Sequence, residues 1–242
     1  MKSIASPILI QQIIDAITPH YEPSEARAIA FRCLDLGWNL SSMDIILKKE
    51  VDLPVDWDLR LGRLAAGEPL QYVMGKTYFR DHLFQVNADT LIPRPETEEL
   101  VDLVLRHAPG NASVLDVGTG SGCIPISLKL ERPSLSVEAW DISSGALTMA
   151  RQNAQSLAAS VEFKLQDIFS WQTSQGSWDM IVSNPPFYSE DFKTNNEQRD
   201  LARFQDAMPF EDLVEAADLL LSENGVFAVI IPNRIPVKFI TI

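Results

Sequence analysis

Apolar residues recur at helical spacing in the first part of the chain, then give way to short apolar runs separated by turn signals. "ILIQQIIDAI" (8–17) and "SEARAIAFRCLDLGW" (24–38) each carry apolar positions three and four apart, the pattern of a helix with one buried face. "SSMDIILKKE" (41–50) opens with Ser41 three residues before Asp44, a capping-box-like start, and ends in lysines suited to a helix C-terminus. Pro54 breaks that run, and "DWDLRLGRLAAG" (56–67) supplies the next helical candidate. No strand pattern falls between these segments, so they predict a small helical bundle.

The pattern then changes. "TYFRDHLFQV" (77–86) has β-rich runs on either side of Arg80-Asp81 and predicts a hairpin. "LIPRPETEELVDLVLRHA" follows, with Pro95 suited to a first helical turn and Glu96, Glu98 and Glu99 placed against its positive dipole end. From there strands and helices alternate. The strand candidates are "SVLDVG" (113–118), "SVEAWD" (136–141), "VEFKLQD" (161–167), "DMIVSN" (179–184) and "GVFAVIIP" (225–232). Between them lie "IPISLKLE", "SGALTMARQNAQSLA" and "PFEDLVEAADLLLSENG". Repeated strand–helix–strand units predict an α/β domain, a parallel sheet with helices on both faces. The expected division is a helical domain over 1–72, a hairpin linker over 73–94 and the α/β domain over 95–242.

Composition narrows the class without choosing a function. With 46% hydrophobic and 22% charged residues, the chain has the balance of a globular protein able to bury a core. No apolar run reaches the roughly 18 residues of a membrane span, and "MKSIASPILIQQIID" does not read as a signal peptide. Cytoplasm is the expected compartment, with no membrane partner. Cys33 and Cys123 form no framework, and with three scattered histidines they give no metal-ligand spacing, so no metal is expected. A formal charge of −13 argues against broad capture of a nucleic-acid backbone and suits a protein or small-molecule substrate.

Two stretches carry chemistry. In "LDVGTGSGC" (115–123), Gly118, Gly120 and Gly122 let the backbone turn tightly and approach a ligand, with Thr119 and Ser121 between them. Glycines at a strand end also make plain tight turns. The next strand, however, ends at Asp141, about twenty residues on, where a carboxylate accepts bonds from ribose hydroxyls. A dinucleotide calls for G-x-G-x-x-G and a phosphate at the helix start. The G-x-G-x-G spacing here leans toward S-adenosylmethionine and leaves both cofactors open.

The second stretch is "SNPPF" (183–187). A planar –NH2 group is a poor nucleophile because its lone pair is delocalised. The Asn184 side-chain oxygen and the Pro185 carbonyl can each accept one of its hydrogens, and this favours positive charge developing on nitrogen. Pro185 and Pro186 stiffen the backbone, and Phe187 offers a flat face to the substrate plane. As structural material the same stretch would be a Pro-Pro turn capping a strand.

Taken together, "LDVGTGSG", Asp141 and "SNPPF" resemble a class I S-adenosylmethionine-dependent N-methyltransferase with the (N/D)PP(Y/F) signature. "GEPLQYVMGKTYF", "FQVNADTLIPRPETEELVD" and "ERPSLSVEAWDISSGALTMARQNAQSLA" are similar to the release-factor glutamine N5-methyltransferase family, over roughly residues 1–187. The resemblance implies a Rossmann-like catalytic domain, a hairpin linker and a helical domain for substrate recognition. It implies methyl transfer to the glutamine of the Gly-Gly-Gln loop of peptide chain release factors. Gly118 to Gly122 and Asp141 would then hold the cofactor, with Ile168 beside the adenine and Asn184 at the junction with the substrate. Asn184, Pro185, Pro186 and Phe187 would hold the glutamine amide, Phe187 standing where Tyr is commoner. Arg94 and Glu96 would adjoin the cofactor end.

Beyond Phe187 the chain instead resembles tRNA adenine-N6 methyltransferases, with Lys193, Arg199, Ala202 and Arg203 matching that pattern. tRNA is therefore the alternative substrate. The class I sheet also implies a sixth strand and an antiparallel seventh, whereas "NRIPVKFITI" after "VIIP" has length for one strand, so a shortened final hairpin is expected.

Overall fold

The computed structural model describes residues 3–170, 178–185 and 210–231. The chain divides into two compact units, Met1–Thr77 with Val86–Ala88, and Tyr78–Gln85 with Asp89–Ile242.

The first unit is built from β1 (Ser3–Ala5), α1 (Ser6–Ile17), α2 (Pro23–Trp38), α3 (Ser42–Ile46), β2 (Glu50–Asp52), α4 (Trp57–Ala65) and α5 (Leu70–Met74). Its core is the inward stripe of those helices: Leu9, Ile13 and Ile17 from α1, Ala26, Ala30, Cys33 and Leu34 from α2, and Leu64 from α4. The Ser41 capping box forms as expected, with the Asp44 N–H donating to Ser41 Oγ and the Ser41 N–H to Asp44 Oδ2. Two details differ from the sequence reading. β1 and β2 pair antiparallel, Ile4 opposite Val51, in segments too short to display a period of two. The helix after Ser41 ends at Ile46 rather than running to the lysines. Lys48 adopts a left-handed φ of 55°, and Lys49 folds back onto Asp44 at 3.1 Å.

β3 (Lys76–Phe79) and β4 (His82–Gln85) form the expected hairpin, turning through Arg80 and Asp81. The second unit continues with α6 (Pro95–His107), β5 (Ser113–Val117), α7 (Cys123–Glu131), β6 (Ser136–Asp141), α8 (Ser144–Ser156), β7 (Glu162–Leu165), a 3-10 turn (Ile168–Ser170), β8 (Trp178–Ser183), α9 (Phe210–Leu220) and β9 (Leu221–Val229).

The sheet order is β7-β6-β5-β8-β9, and every neighbouring pair is parallel. Period-two alternation divides its residues between two cores. Val114, Met180 and Val182 pack with Leu100, Val101 and Val104 of α6 and with Ile126 and Leu128 of α7. Leu115, Val117 and Ile181 face the other way and pack with Trp140 and with Leu213, Ala217 and Leu220 of α9. The fold is the expected α/β layering. β9 begins at Leu221, four residues before the predicted start, and its pairing with β8 carries a register shift between Trp178 and Met180. The chain leaves β5 toward β6 on one side and later returns to β8 on the other, so β5 is the topological switch point. Ligands of such sheets bind beyond the carboxyl ends of the strands at that point.

Candidate active site

Two loops meet the switch point, one after β5 and one after β8. The first runs from Gly118 to Gly122. All three glycines have positive φ: 73°, 56° and 79°. A Cβ on Gly118 or Gly120 would project into open space, so these two present bare backbone to whatever lies in front. At Gly122, the left-handed N-cap of α7, a Cβ would lie 2.9 Å from Ile126 Cδ1 and 3.1 Å from Ala150 Cβ. That glycine is required by helix packing.

The loop is tied down from several sides. The Gly118 and Thr119 N–H groups both donate to the Trp140 carbonyl, at 2.9 and 3.1 Å. The Gly120 N–H donates to Asp141 Oδ2 at 2.8 Å, and the Ser143 N–H donates to Asp141 Oδ1 at 2.8 Å. From behind, the buried Asn153 donates from Nδ2 to the carbonyls of Ser121 and Gln85 and accepts the Gln85 N–H on Oδ1. One side chain of α8 thus fixes both the glycine loop and β4.

Asp116 is the least expected group here. It lies wholly inside the sheet, and neither carboxyl oxygen has a hydrogen-bond partner among the described residues. The hydroxyls of Thr119 and Ser121 are also buried without partners. Burial raises the Asp116 carboxyl to about 7, and the Asp141 charge adds to the rise. The Cys123 thiol beside it is pushed up to about 12, chiefly by burial and also by Asp116.

At the end of β8, Ser183 is fully buried and donates its hydroxyl to the Val117 carbonyl at 2.7 Å, locking the strand end to β5. Asn184 follows, half-buried, and its Nδ2 donates to Thr97 Oγ1 at 2.9 Å. Thr97 stands in the first turn of α6 and is itself buried. Pro185 is buried. Pro186 and Phe187 lie outside the described residues, as do Lys193, Arg199, Ala202, Arg203 and the segment expected to form the last strand.

Of the other predicted residues, Asp141 sits at the end of β6 and meets the glycine loop. Ile168 is buried in the core cluster with Val117 and Trp140. Arg94 and Glu96 are exposed at the start of α6. The apolar Ile142 (64% exposed) and Phe169 (45% exposed) stand just beyond the carboxyl ends of the adjacent strands β6 and β7. Sequence reasoning missed Asp116, Asn153, Thr97 and these two exposed apolar residues. A carboxylate inside an otherwise apolar strand was the available signal for Asp116.

The site therefore has a glycine cradle with open space before it, a carboxylate at its rim, and a pinned carboxamide across the switch point. The profile of the family described as "Methyltransferase small domain" matches residues 97–240, more than half of the sequence. The chain belongs to the methyltransferase small domain family. A release factor glutamine methyltransferase of Bacteroides thetaiotaomicron is 43% identical over 183 residues, covering 73% of this chain and 66% of that one. Another protein of that name, from Koribacter versatilis, is 40% identical and covers 75% and 68%. A tRNA1(Val) (adenine(37)-N6)-methyltransferase of Flavobacterium johnsoniae is 46% identical over 136 residues, 52% of this chain and 55% of that one. The Bacteroides and Flavobacterium alignments are together longer than the chain, so both kinds of methyltransferase match one shared part of it. The likeness to release factor glutamine methyltransferases read from the motifs is borne out. The chain spans less than two thirds of the length of the first curated relatives it matches.

Proposed function

We propose that the protein transfers a methyl group from S-adenosylmethionine to the side-chain amide nitrogen (N5) of the glutamine in the Gly-Gly-Gln loop of peptide chain release factors. The observation that carries this reading is the Asn184 carboxamide at the end of β8, pinned through Nδ2 so that Oδ1 is left to accept. The names of the relatives support the substrate.

The residues present fit the cofactor. Gly118 and Gly120 leave room for a ligand against their backbone, and each Asp141 oxygen, having accepted one backbone N–H, keeps lone pairs for ribose hydroxyls. Ile142 offers exposed apolar surface for a planar base, with Ile168 buried at the start of the 3-10 turn after β7. Thr119, Ser121 and Gly122 complete the loop, and Asn184 borders it. When bound, S-adenosylmethionine supplies an electrophilic methyl group on a sulfonium sulfur.

The chain's own part is to hold a weak nucleophile. Asn184 Oδ1 and the Pro185 carbonyl accept the two hydrogens of the substrate amide, with Pro186 fixing the backbone and Phe187 covering the amide plane. Two oxygen acceptors fixed in advance favour positive charge on nitrogen as the new bond forms, and this contribution grows toward the transition state. The cationic nitrogen is then acidic enough to lose its extra proton to water, so the mechanism asks for no histidine or lysine base.

We assign residues 1–72 to substrate recognition. That stretch contributes Trp38, Pro54, Trp57 and Arg60 to an open groove that Met74 completes, and it carries exposed apolar Met43 and Ile46 on α3, with Leu47 just beyond the helix. Such surface favours a protein partner.

The test is incubation of the protein with labelled S-adenosylmethionine and a release factor, with the label located by mass spectrometry. Label on the Gly-Gly-Gln glutamine is expected, and its absence overturns the assignment. The Flavobacterium relative favours a second reading, N6 methylation of a tRNA adenine, with Lys193, Arg199 and Arg203 as phosphate contacts. In that case unmodified tRNA takes the label, and charge reversal at Arg199 and Arg203 abolishes it.

A further inference from the structure

We infer that Thr97 is the positioning residue of the Asn184 carboxamide, anchoring it by its Nδ2 end so that Oδ1 is left for the substrate. The inference rests on the proposed role of Asn184 and names a residue on a different element, 87 positions earlier in the chain.

A carboxamide has two ends of similar shape and opposite hydrogen-bonding character: Oδ1 accepts and Nδ2 donates. An asparagine free to rotate would offer an –NH2 substrate a donor about as often as an acceptor, and the donor repels it. Asn184 is half-buried and needs a partner that consumes the Nδ2 end. Thr97 Oγ1 is that partner, at 2.9 Å, and Nδ2 makes no other bond to the described residues.

Thr97 is well placed to hold the carboxamide because it is itself held. It is 2% exposed, and its N–H donates to the Arg94 carbonyl in the first turn of α6. The next residue of that turn, Glu98, is held from the hairpin. Its side chain accepts the Arg80 N–H at 3.0 Å, and its carbonyl accepts from Arg80 Nη1 at 3.1 Å. Arg80 also pairs with Asp102 farther along α6 and with Glu131 at the end of α7. The backbone before Asn184 is fixed independently by the Ser183–Val117 bond. Asn184 is therefore clamped at its main chain by β5 and at its amide by α6.

The test uses Thr97→Val, which keeps the branched shape and removes the hydroxyl, beside Thr97→Ser, which keeps the hydroxyl. Side-chain amide NMR comes first and needs no substrate. The Asn184 Nδ2 protons, assigned by their loss in Asn184→Asp, should exchange slowly in the native protein and in Thr97→Ser, and at least several-fold faster in Thr97→Val. Unchanged exchange in Thr97→Val overturns the inference. With release factor as substrate, Thr97→Val should lower kcat by about 10²-fold, the usual cost of a misplaced group. KM should stay within a few-fold, and Thr97→Ser should restore kcat. Equal loss in Val and Ser variants, or no loss in either, also overturns it. Native protein that protects the Asn184 amide through Thr97 yet methylates nothing would sink the proposed function and leave the positioning role standing.

Discussion

Asp141 accepts the Gly120 N–H on Oδ2 at 2.8 Å, joining the end of β6 to the middle of the glycine loop. Its other oxygen accepts the Ser143 N–H, so the carboxylate shapes the loop before any ligand arrives. An asparagine can replace only one of the two acceptors. Asp141→Asn and Asp141→Ala should therefore weaken S-adenosylmethionine binding by about 10- to 10²-fold, the range for lost bonds to a charged group. Calorimetry measures it, and wild-type affinity in both variants would remove Asp141 from the cofactor site.

Asn184→Ala should behave oppositely. Cofactor affinity should stay within a few-fold, while turnover falls by about 10²-fold or more, as for other groups that act on developing charge. Single-turnover kinetics at saturating cofactor separates the two quantities. Full turnover in the variant would leave Asn184 no catalytic part.

Asp116 predicts a distinctive pH dependence in the ligand-free protein. Its folded-state carboxyl titrates at about 7, above the ordinary carboxylate value of 3.8. Between those two pH values the unfolded chain has released this proton and the folded chain retains it. The contribution to stability therefore falls as pH rises through that window and levels off above it. Asp116→Asn removes the dependence. Its melting temperature relative to wild type should climb between pH 4 and pH 8; a constant difference would contradict the burial argument.

The Arg80-Asp81 turn combines strain with anchorage. Both residues have left-handed φ, 46° and 62°, as a type I′ hairpin requires. Asp81→Gly should relieve one of them and stabilise the protein by about 0.5–1 kcal/mol. Arg80→Gly relieves the other but removes the guanidinium from Asp102, Glu131 and the Glu98 carbonyl, so it should be destabilising. Thermal melts of the two variants should move in opposite directions.

The residues legible in advance share one property: their local chemistry announces them. The five strands showed as apolar runs, the loop through its glycines, Asp141 as a carboxylate ending a strand, and the hairpin through runs flanking Arg80-Asp81. What stayed hidden depends on partners distant in sequence. Nothing near Thr97 points to residue 184, and nothing in α8 marks Asn153 as the residue that serves Ser121 and Gln85. β1 and β2 are three residues each, too short for any periodic signal. The early start of β9 depends on its irregular register with β8, which no local pattern encodes.

The three loop glycines look interchangeable, yet they would fail for unrelated reasons. At 122 any side chain is wedged between Ile126 and Ala150, so damage there reports a broken helix seat. At 118 and 120 an asparagine, the residue most tolerant of left-handed backbone, has room to stand. A mutational scan scored only by lost activity would pool all three as ligand contacts, whereas a parallel scan for soluble, folded protein would set Gly122 apart.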